Sequence, residues 1–279
     1  MNVLSIQSGV VYGHVGNAAA QFCLQRLGHA TWRIDTVRFS NHPGHGGFAG
    51  EVAAAREIDG LVAALDTRGW LASCAALLSG YLGAADQGPA VLGAARRVKA
   101  ANPGAMWLLD PVIGDHGRVF VKPGIPEFMR DAALSLADIV TPNVFELAWL
   151  TGTQVDDVAG AIAGARLLRA RGPGVVVVTG IPDTAGRIAT LCIHDGGVDL
   201  VTTPRVDVAV NGTGDSFAAL FLARLLTTRD IAGSLAHAAS AVHALLVRTA
   251  AAGARELLLV DAQDLLAAPA PAFVARRVA

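Results

Sequence analysis

The chain has 279 residues, 53% of them hydrophobic, and a formal net charge of −1. This length and apolar content are enough for one large α/β domain or for two small ones. The balanced charge, without a basic stripe, argues against a nucleic-acid partner. The three cysteines lie far apart in apolar settings, which excludes a disulfide framework and a zinc-binding spacing and suits a reducing compartment.

The amino terminus has no basic segment followed by a long apolar run, so we expect no signal peptide. No run of about 18 uncharged apolar residues is convincing as a membrane span. The alanine-rich stretch 236–246 carries two histidines and a serine and is predicted to be a buried helix. We therefore expect a cytoplasmic protein without a membrane partner.

Apolar runs typical of strands alternate along the chain with segments of helical periodicity. Strands are predicted at residues 3–6, 31–39, 75–78, 106–109, 139–140 and 175–179, with a hairpin formed by residues 188–194 and 198–203. Helices are predicted at 16–28, 58–67, 89–101, 124–136, 146–150, 158–171 and 217–226, and from residue 231 onward. A β-like run at 206–210 precedes the helix that begins near residue 217. The tail after residue 267 is predicted to be an edge segment.

The predicted strands are apolar on both faces, which is typical of a mostly parallel sheet covered by helices on its two sides. We therefore predict an α/β fold of the three-layer αβα type, formed by residues 1–279 as a single domain. In such sheets ligands bind beyond the carboxyl ends of the strands. Six polar residues lie at or just after predicted strand ends and should converge on one rim: Ser8, Tyr81, Asp110, Thr141, Thr179 and Asp215.

The most informative stretch is 211–217, Asn-Gly-Thr-Gly-Asp-Ser-Phe. Glycines at the start of a helix let backbone N–H groups approach an anion closely. Gly212, Thr213 and Gly214 are therefore a candidate phosphate cradle. A carboxylate beside a phosphate is unfavourable unless it takes a proton from an attacking nucleophile, so Asp215 is a candidate general base. The alternative is that Asp215 only stabilises the helix start.

Phosphoryl transfer also needs a metal ion, which Asp110, Asp115 and Glu146 could hold through carboxylate oxygens and water. The alternative is a turn cap for Asp110 and an ordinary first-turn helix residue for Glu146. The chain contains neither the P-loop motif nor the Gly-x-Gly-x-x-Gly motif of dinucleotide-binding folds.

Several segments together resemble the pyridoxal kinase family. They are Ser-Ile-Gln-Ser at 5–8, Tyr-Gly-His-Val-Gly-Asn at 12–17, Val-Arg-Phe-Ser-Asn-His at 37–42, Ser-Gly-Tyr-Leu-Gly at 79–83, Asp-Pro-Val-Ile-Gly-Asp at 110–115 and Thr-Pro-Asn-Val-Phe-Glu-Leu at 141–147. Gly-Thr-Gly-Asp at 212–215 is the signature of the wider ribokinase-like superfamily. The resemblance extends from residue 1 to about residue 267.

The resemblance implies a ribokinase-like sheet of nine or ten strands, a homodimer, ATP as co-substrate and Mg²⁺, with K⁺ as a candidate monovalent ion. It implies ATP-dependent phosphorylation of the 5′-hydroxymethyl group of pyridoxal, and of pyridoxine or pyridoxamine, in vitamin B6 salvage. Ser8 would bind the pyridine ring, with Tyr81 packed near it. Asp215 would deprotonate the 5′-hydroxyl, while Gly212 and Gly214 would donate N–H groups to the transferring phosphoryl group.

The resemblance also assigns a nucleotide side. Asp110, Thr141 and Glu146 would lie by the nucleotide phosphates and the metal ion, and Asp115 would join them through water. The remaining expected nucleotide contacts are Thr179, Gly180, Val206, Val208, Gly212 and Thr213, with the two valines bordering adenine.

The chain departs from the family on the acceptor side. Gly9 replaces the usual histidine, Phe120 stands where some members have tyrosine, and Pro43 replaces the usual threonine at an expected substrate-binding position. Proline removes both a hydroxyl and a backbone donor. Glycines at 44, 46 and 47 follow. These changes leave the phosphate side intact.

Three other functions fit parts of the sequence. A ribokinase-like kinase for another hydroxymethyl substrate, such as a hydroxymethylpyrimidine or a sugar, would keep Asp215 and change only the acceptor pocket. A serine hydrolase would use Ser216, whose surroundings approach Gly-x-Ser-x-Gly, with Asp230, His237 or His243 as partners. A non-catalytic ligand-binding protein on the same fold would not require the base.

Overall fold

Ten strands form one sheet in the computed structural model, which describes residues 1–184 and 186–279. The strands of the chain are β1 (Asn2–Tyr12), β2 (Ala30–Asn41), β3 (Gly50–Val52), β4 (Cys74–Ser79), β5 (Met106–Leu109), β6 (Gly114–Asp115), β7 (Arg118–Val119), β8 (Ile139–Val140), β9 (Val175–Pro182), β10 (Arg187–His194), β11 (Gly197–Pro204) and β12 (Arg276–Arg277). The order in the large sheet is β12-β11-β10-β9-β8-β5-β4-β1-β2-β3, and β6 and β7 pair separately as a small hairpin.

Helices cover both faces of the sheet. They are α1 (Asn17–Arg26), α2 (Ala55–Thr67), α3 (Gln87–Ala101), α4 (Ile125–Phe128), α5 (Val144–Thr151), α6 (Val158–Arg169), α7 (Thr213–Thr228), α8 (Ile231–Ala251) and α9 (Gln263–Ala267). Six neighbouring strands, β2, β1, β4, β5, β8 and β9, run parallel, whereas β3 and the β10–β12 edge are antiparallel. The predicted three-layer αβα fold with a mostly parallel sheet is confirmed.

Alternate side chains of the central strands enter two separate cores because successive residues of a strand point to opposite faces. Leu4 belongs to the core under α2 and α3, together with the fully buried Trp107. Val3 belongs to the core under α1, α7 and α8, together with Phe221. Each face of the sheet is therefore sealed, and ligand access is left at the strand ends.

Helix α8 is long and apolar enough, by length and composition alone, to cross a membrane. Half of its most apolar window is buried inside the protein, where the helix packs on α7 and on the antiparallel edge of the sheet. The expectation of a buried helix in this part of the chain agrees with that packing.

Two predicted boundaries near the site were wrong. Strand β1 continues to Tyr12 through a bulge between Gln7 and Gly9, because its end pairs with β2 up to Asn41. Ser8 therefore lies inside a strand. The alternating run at 206–210 is not a strand: the chain leaves the sheet after Pro204, and the N–H of Val208 bonds to the carbonyl oxygen of Val206.

The remaining differences from the predicted elements are smaller. Strand β3 was not predicted, because its three residues carry too short a pattern. The predicted helix at 124–136 is a short α4 followed by a π-helical turn at 129–133. The tail does form an edge strand, β12 on β11.

Candidate active site

Two loops from opposite ends of the chain meet at the start of α7. Gly212 has a φ of 87° and directly precedes the first residue of the helix. A Cβ atom on Gly212 would overlap the carbonyl oxygen of His14 in the loop between β1 and α1. Only glycine accepts this backbone conformation without strain. The two loops are therefore in direct backbone contact, and residue 212 must be glycine for that contact to form.

Asp215 lies in the first turn of α7 and is half-buried. Its Oδ2 atom accepts a hydrogen bond of 2.8 Å from the backbone N–H of Gly16, which belongs to the β1–α1 loop. A carboxylate that only capped α7 would bond to the N–H groups of its own helix, so this bond favours the site interpretation. Burial raises the pKa of Asp215, and the Gly16 N–H partly opposes that rise.

Ser8 lies beside the same loop. A Cβ atom on Gly16 would overlap both the Oγ atom and the carbonyl oxygen of Ser8, which is 9% exposed. Ser8, Gly16 and Asp215 are therefore neighbours. Tyr81 lies just after the end of β4, the strand next to β1, and is half-buried. Its carbonyl oxygen accepts a 2.7 Å hydrogen bond from the hydroxyl of Thr36. Burial raises the pKa of the Tyr81 phenol.

The glycine at position 9 has a structural counterpart. A Cβ atom there would lie 2.6 Å from Cγ and Oδ2 of Asp35. Asp35 is held by the side chain of Asn17 at 2.8 Å and by Arg33 at 2.8 Å. The Asp35 carboxylate therefore occupies the space into which a side chain at position 9 would project.

Asp110 lies opposite the start of α7. Its Oδ1 accepts a 2.9 Å bond from the hydroxyl of Thr141, and its Oδ2 lies 4.0 Å from where a Cβ of Gly214 would be. Burial, reinforced by the charge of Asp215, raises the pKa of Asp110 to about 7, while the Thr141 bond opposes the rise. Asp110 and Asp215 are thus close enough for each carboxylate to feel the other's charge.

Glu146 performs the structural role that its position in the sequence suggested. It forms a capping box with Asn143 at the start of α5, and its other oxygen accepts a 3.0 Å bond from the N–H of Ile113. Burial, followed by the charge of Asp110, raises the pKa of Glu146 well above its usual value. Glu146 therefore fixes the start of α5 and places a second buried carboxyl group beside Asp110.

Asp110 and Glu146 are buried and Asp215 is half-buried at the same edge of the sheet. Three neighbouring carboxyl groups favour the binding of a cation. The surroundings of Asp110 fit Mg²⁺, which prefers oxygen ligands and keeps several waters. Within residues 1–184 and 186–279, no group of three acidic, histidine or cysteine side chains could hold a metal unaided, so water and nucleotide phosphate would have to complete the shell. Asp115 lies further out, half-exposed on the β6–β7 hairpin.

The other expected nucleotide-side residues lie along the same edge of the sheet or lead into α7. Thr179 forms a bridge with Asn143, Gly180 has a φ of 71°, and Thr213 is the first residue of α7. Val206 and Val208 are half-buried in the segment leading to α7. Pro43 is exposed. The nucleotide-binding roles of these residues and the substrate-binding role of Pro43 remain predictions.

The serine hydrolase alternative is wrong. Ser216 is fully buried, and its hydroxyl donates a 2.8 Å bond to the carbonyl oxygen of Gly212 within the helix start. His237 is bonded through Nε2 to the carbonyl oxygen of Leu266, and Asp230 caps α8. None of these groups is placed to activate Ser216.

Two residues of this region have roles that the sequence does not reveal. Gly16 stands in the sequence only as part of a motif, yet its N–H binds Asp215. Glu256, between α8 and α9, belongs to no motif, although its carboxylate binds the β1–α1 loop. Both interactions join residues about 200 or more positions apart, so no local pattern shows them.

The family model of phosphomethylpyrimidine kinase matches residues 74–258. Among curated relatives, a pyridoxal kinase of Rubrobacter xylanophilus is 49% identical over 100% of this chain and 98% of its own length. A pyridoxal kinase of Granulibacter bethesdensis is 45% identical over 99% of each chain.

Solved structures of pyridoxal kinases are similar to this chain in their fold. A pyridoxal kinase of Leishmania donovani in complex with ADP and pyridoxamine superposes with a TM-score of 0.93, at 29% identity, over 100% of this chain and 99% of that one. The same enzyme with ADP and pyridoxine also gives a TM-score of 0.93, at 30% identity and the same coverage. The predicted ribokinase-like fold is confirmed.

Proposed function

The chain belongs to the pyridoxal kinase family, and on this premise we propose that it transfers the terminal phosphoryl group of ATP to the 5′-hydroxymethyl group of pyridoxal in vitamin B6 salvage. Pyridoxine and pyridoxamine are further acceptors. The observation that carries this function is the position of Asp215, which touches the β1–α1 loop beside Ser8 and faces Asp110 across Gly214. One carboxylate thus borders both an acceptor side and a phosphate side.

In this mechanism Asp215 accepts the proton of the hydroxymethyl group as its oxygen attacks the phosphoryl group. The Gly16 N–H holds Oδ2 of Asp215 in place, which leaves Oδ1 for the acceptor. Burial raises the pKa of Asp215, and a base with a raised pKa binds the departing proton more strongly. Backbone N–H groups of Gly212 and Gly214 stabilise charge as it spreads over the phosphoryl oxygens.

Asp110 and Glu146, with Asp115 through water, are the residues that would hold Mg²⁺. The ion supplies charge neutralisation of the nucleotide phosphates. In favour of this placement, the Asp110 and Glu146 carboxyls are both buried at the same edge of the sheet. Burial, followed by the charge of a neighbouring carboxylate, raises the pKa of each, and a bound cation would offset that cost. Thr141 fixes the orientation of Asp110.

We expect a homodimer with one site in each subunit, a cytoplasmic protein, and activation by K⁺. Residues 1–279 would act as a single kinase domain. Sedimentation equilibrium tests the dimer, and rates in K⁺ and in tetramethylammonium salts test the monovalent ion.

A kinase for hydroxymethylpyrimidine is the second candidate, because the phosphomethylpyrimidine kinase model matches residues 74–258. Steady-state rates with ATP and pyridoxal, pyridoxine, pyridoxamine or hydroxymethylpyrimidine separate the two. We expect the highest kcat/KM with a B6 vitamer. A higher kcat/KM with hydroxymethylpyrimidine would replace the proposed substrate and keep the kinase.

Replacing Ser8 by alanine should raise the KM for pyridoxal about tenfold and change the KM for ATP less than about twofold. The reason is that Ser8 packs against Gly16 of the loop that binds Asp215, whereas Asp110 follows β5, two strands away from β1 in the sheet. Initial rates at varied concentrations of each substrate give the two values. Equal increases in both KM values would place Ser8 outside the acceptor pocket.

Mg²⁺ activation should weaken as the pH falls below 7. Asp110 has its pKa raised to about 7, so it is ionised above that pH and holds a proton below it. Mg²⁺ must displace this proton, and its apparent affinity should fall by up to about tenfold per pH unit below 7. The Mg²⁺ dependence of the rate at pH 6, 7 and 8 measures this, and Asp110→Asn should flatten the trend. An unchanged trend in that variant would assign the pH dependence to another group.

A further inference from the structure

Glu256 lies between α8 and α9, distant in sequence from every residue of the proposed site. Its Oε2 accepts a 3.1 Å hydrogen bond from the backbone N–H of His14 in the β1–α1 loop. Its Oε1 is hydrogen-bonded to Nε2 of His45. The side chains of Glu256 and His45 are only 15% and 20% exposed. One largely buried carboxylate therefore joins two separate loops.

His45 belongs to the turn formed by residues 42–47, which also contains Pro43. His42 begins it by accepting a 3.1 Å bond from the N–H of Gly44. Pro43 and the three glycines of the turn are exposed and offer little side chain for packing. The ring of His45 meets the ring of Tyr12 edge-on, with centroids 5.9 Å apart. Asn41 at the end of β2 holds the two ends of the turn by donating to the carbonyl oxygens of His42 and Gly47 at 3.1 and 3.2 Å. Attachment of the middle of the turn to the rest of the protein depends on His45.

The turn also approaches the start of α7. A Cβ atom on Gly44 would lie 3.6 Å from Nδ2 of Asn211, the residue before Gly212. The turn is therefore placed between the end of β1 and the proposed phosphate cradle, where it can cover an acceptor bound beside Ser8.

The second loop connects β1 to α1. Glu256 binds the N–H of His14, the carbonyl oxygen of His14 packs against Gly212, and the N–H of Gly16 binds Asp215. A change in the position of this loop would therefore also move Asp215, the proposed base.

From these contacts we propose that Glu256 is a positioning residue for phosphoryl transfer, which holds the 42–47 turn against the β1–α1 loop and so sets the affinity for the acceptor without touching either substrate. This inference rests on the proposed kinase function. Loss of the carboxylate leaves the N–H of His14 and the ring of His45 without their hydrogen-bond partner in a place with little water. It also frees the middle of the turn, which Asn41 holds only at its two ends. The acceptor pocket should then open, while the nucleotide side keeps its contacts.

The test uses the variants Glu256→Ala and Glu256→Gln, with Asp261→Asn as the matched control on the same segment, where Asp261 is exposed. We expect Glu256→Ala to raise the KM for pyridoxal about tenfold, with the KM for ATP changed less than about twofold, and Glu256→Gln to have a smaller effect in the same direction. Asp261→Asn should match the unsubstituted protein. Calorimetric titration with pyridoxal and with a non-hydrolysable ATP analogue should reproduce the split between the substrates.

A double-variant cycle with His45→Ala separates positioning from a general loss of structure. His45→Ala should raise the KM for pyridoxal as Glu256→Ala does, and the double variant should add little, because both changes release the same turn. Additive effects, equal changes in both KM values, or an unchanged KM for pyridoxal would overturn the inference. If the unsubstituted protein did not turn over pyridoxal at all, the proposed function would fail instead, and the two failures are thereby distinguished.

Discussion

Replacing Asp215 by asparagine is expected to lower kcat by about three orders of magnitude and to change the affinity for ATP by less than about threefold. Asparagine has the same shape, and its amide oxygen can still accept the N–H of Gly16, but the amide cannot take a proton from the hydroxymethyl group. The fold and the nucleotide contacts should remain. Single-turnover rates give the chemical step, and calorimetric titration gives ATP affinity.

Ser216→Ala is the matched control for that experiment, since Ser216 follows Asp215 but points its hydroxyl at the carbonyl oxygen of Gly212. Its kcat should fall by less than about threefold. Full activity in Asp215→Asn would remove the base from the mechanism. The pH profile supplies a second check: because burial raises the pKa of Asp215, kcat should increase with pH up to that raised pKa and then level off.

Replacing Gly212 by alanine should lower kcat at least about 100-fold and destabilise the protein by about 2–4 kcal/mol. The φ of 87° is unfavourable for alanine, and the added methyl group would overlap the carbonyl oxygen of His14. The β1–α1 loop and the start of α7 would move apart, and Asp215 would no longer be aligned with the acceptor hydroxyl. Thermal unfolding and steady-state kinetics measure the two effects.

Gly214→Ala distinguishes a strained glycine from an ordinary one. Gly214 lies inside α7 with no left-handed conformation, and the nearest atom to an added Cβ is Oδ2 of Asp110 at 4.0 Å. Stability should therefore change by less than about 1 kcal/mol, although the methyl group projects toward Asp110 and should reduce kcat. Equal losses of stability in the two variants would refute the specific requirement for glycine at 212.

Local sequence patterns predicted the elements that have strong periodicity. The parallel strands and the helices around them were predicted correctly because their apolar runs are bounded by glycine and polar residues, which makes each strand or helix easy to recognise. The prediction ended β1 too early because the last part of the strand, including Val11 and Tyr12, is exposed and has no apolar pattern of a buried strand. This part is a strand only because it pairs with β2. The run at 206–210 has the alternation of a strand but no neighbouring strand to pair with.

The candidate site was predicted in the same uneven way. Asp215 and Gly212 were recognisable because two glycines followed by a carboxylate at a helix start combine an anion cradle with a base. Glu146 had both a structural and a functional interpretation, and the capping box confirms the structural one while its functional role stays a prediction. Gly16 and Glu256 could not be found, because their importance lies in contacts with residues 199 and 242 positions away.

The most direct test of the central claim is a single-turnover reaction with ATP labelled in its terminal phosphate, in the presence of pyridoxal or of 5′-deoxypyridoxal. If Asp215 activates the hydroxymethyl group for direct transfer, the label should appear on the 5′-oxygen of pyridoxal and should not leave ATP with the deoxy analogue. Label transferred to water at the same rate with either compound, or retained on the protein, would contradict the account.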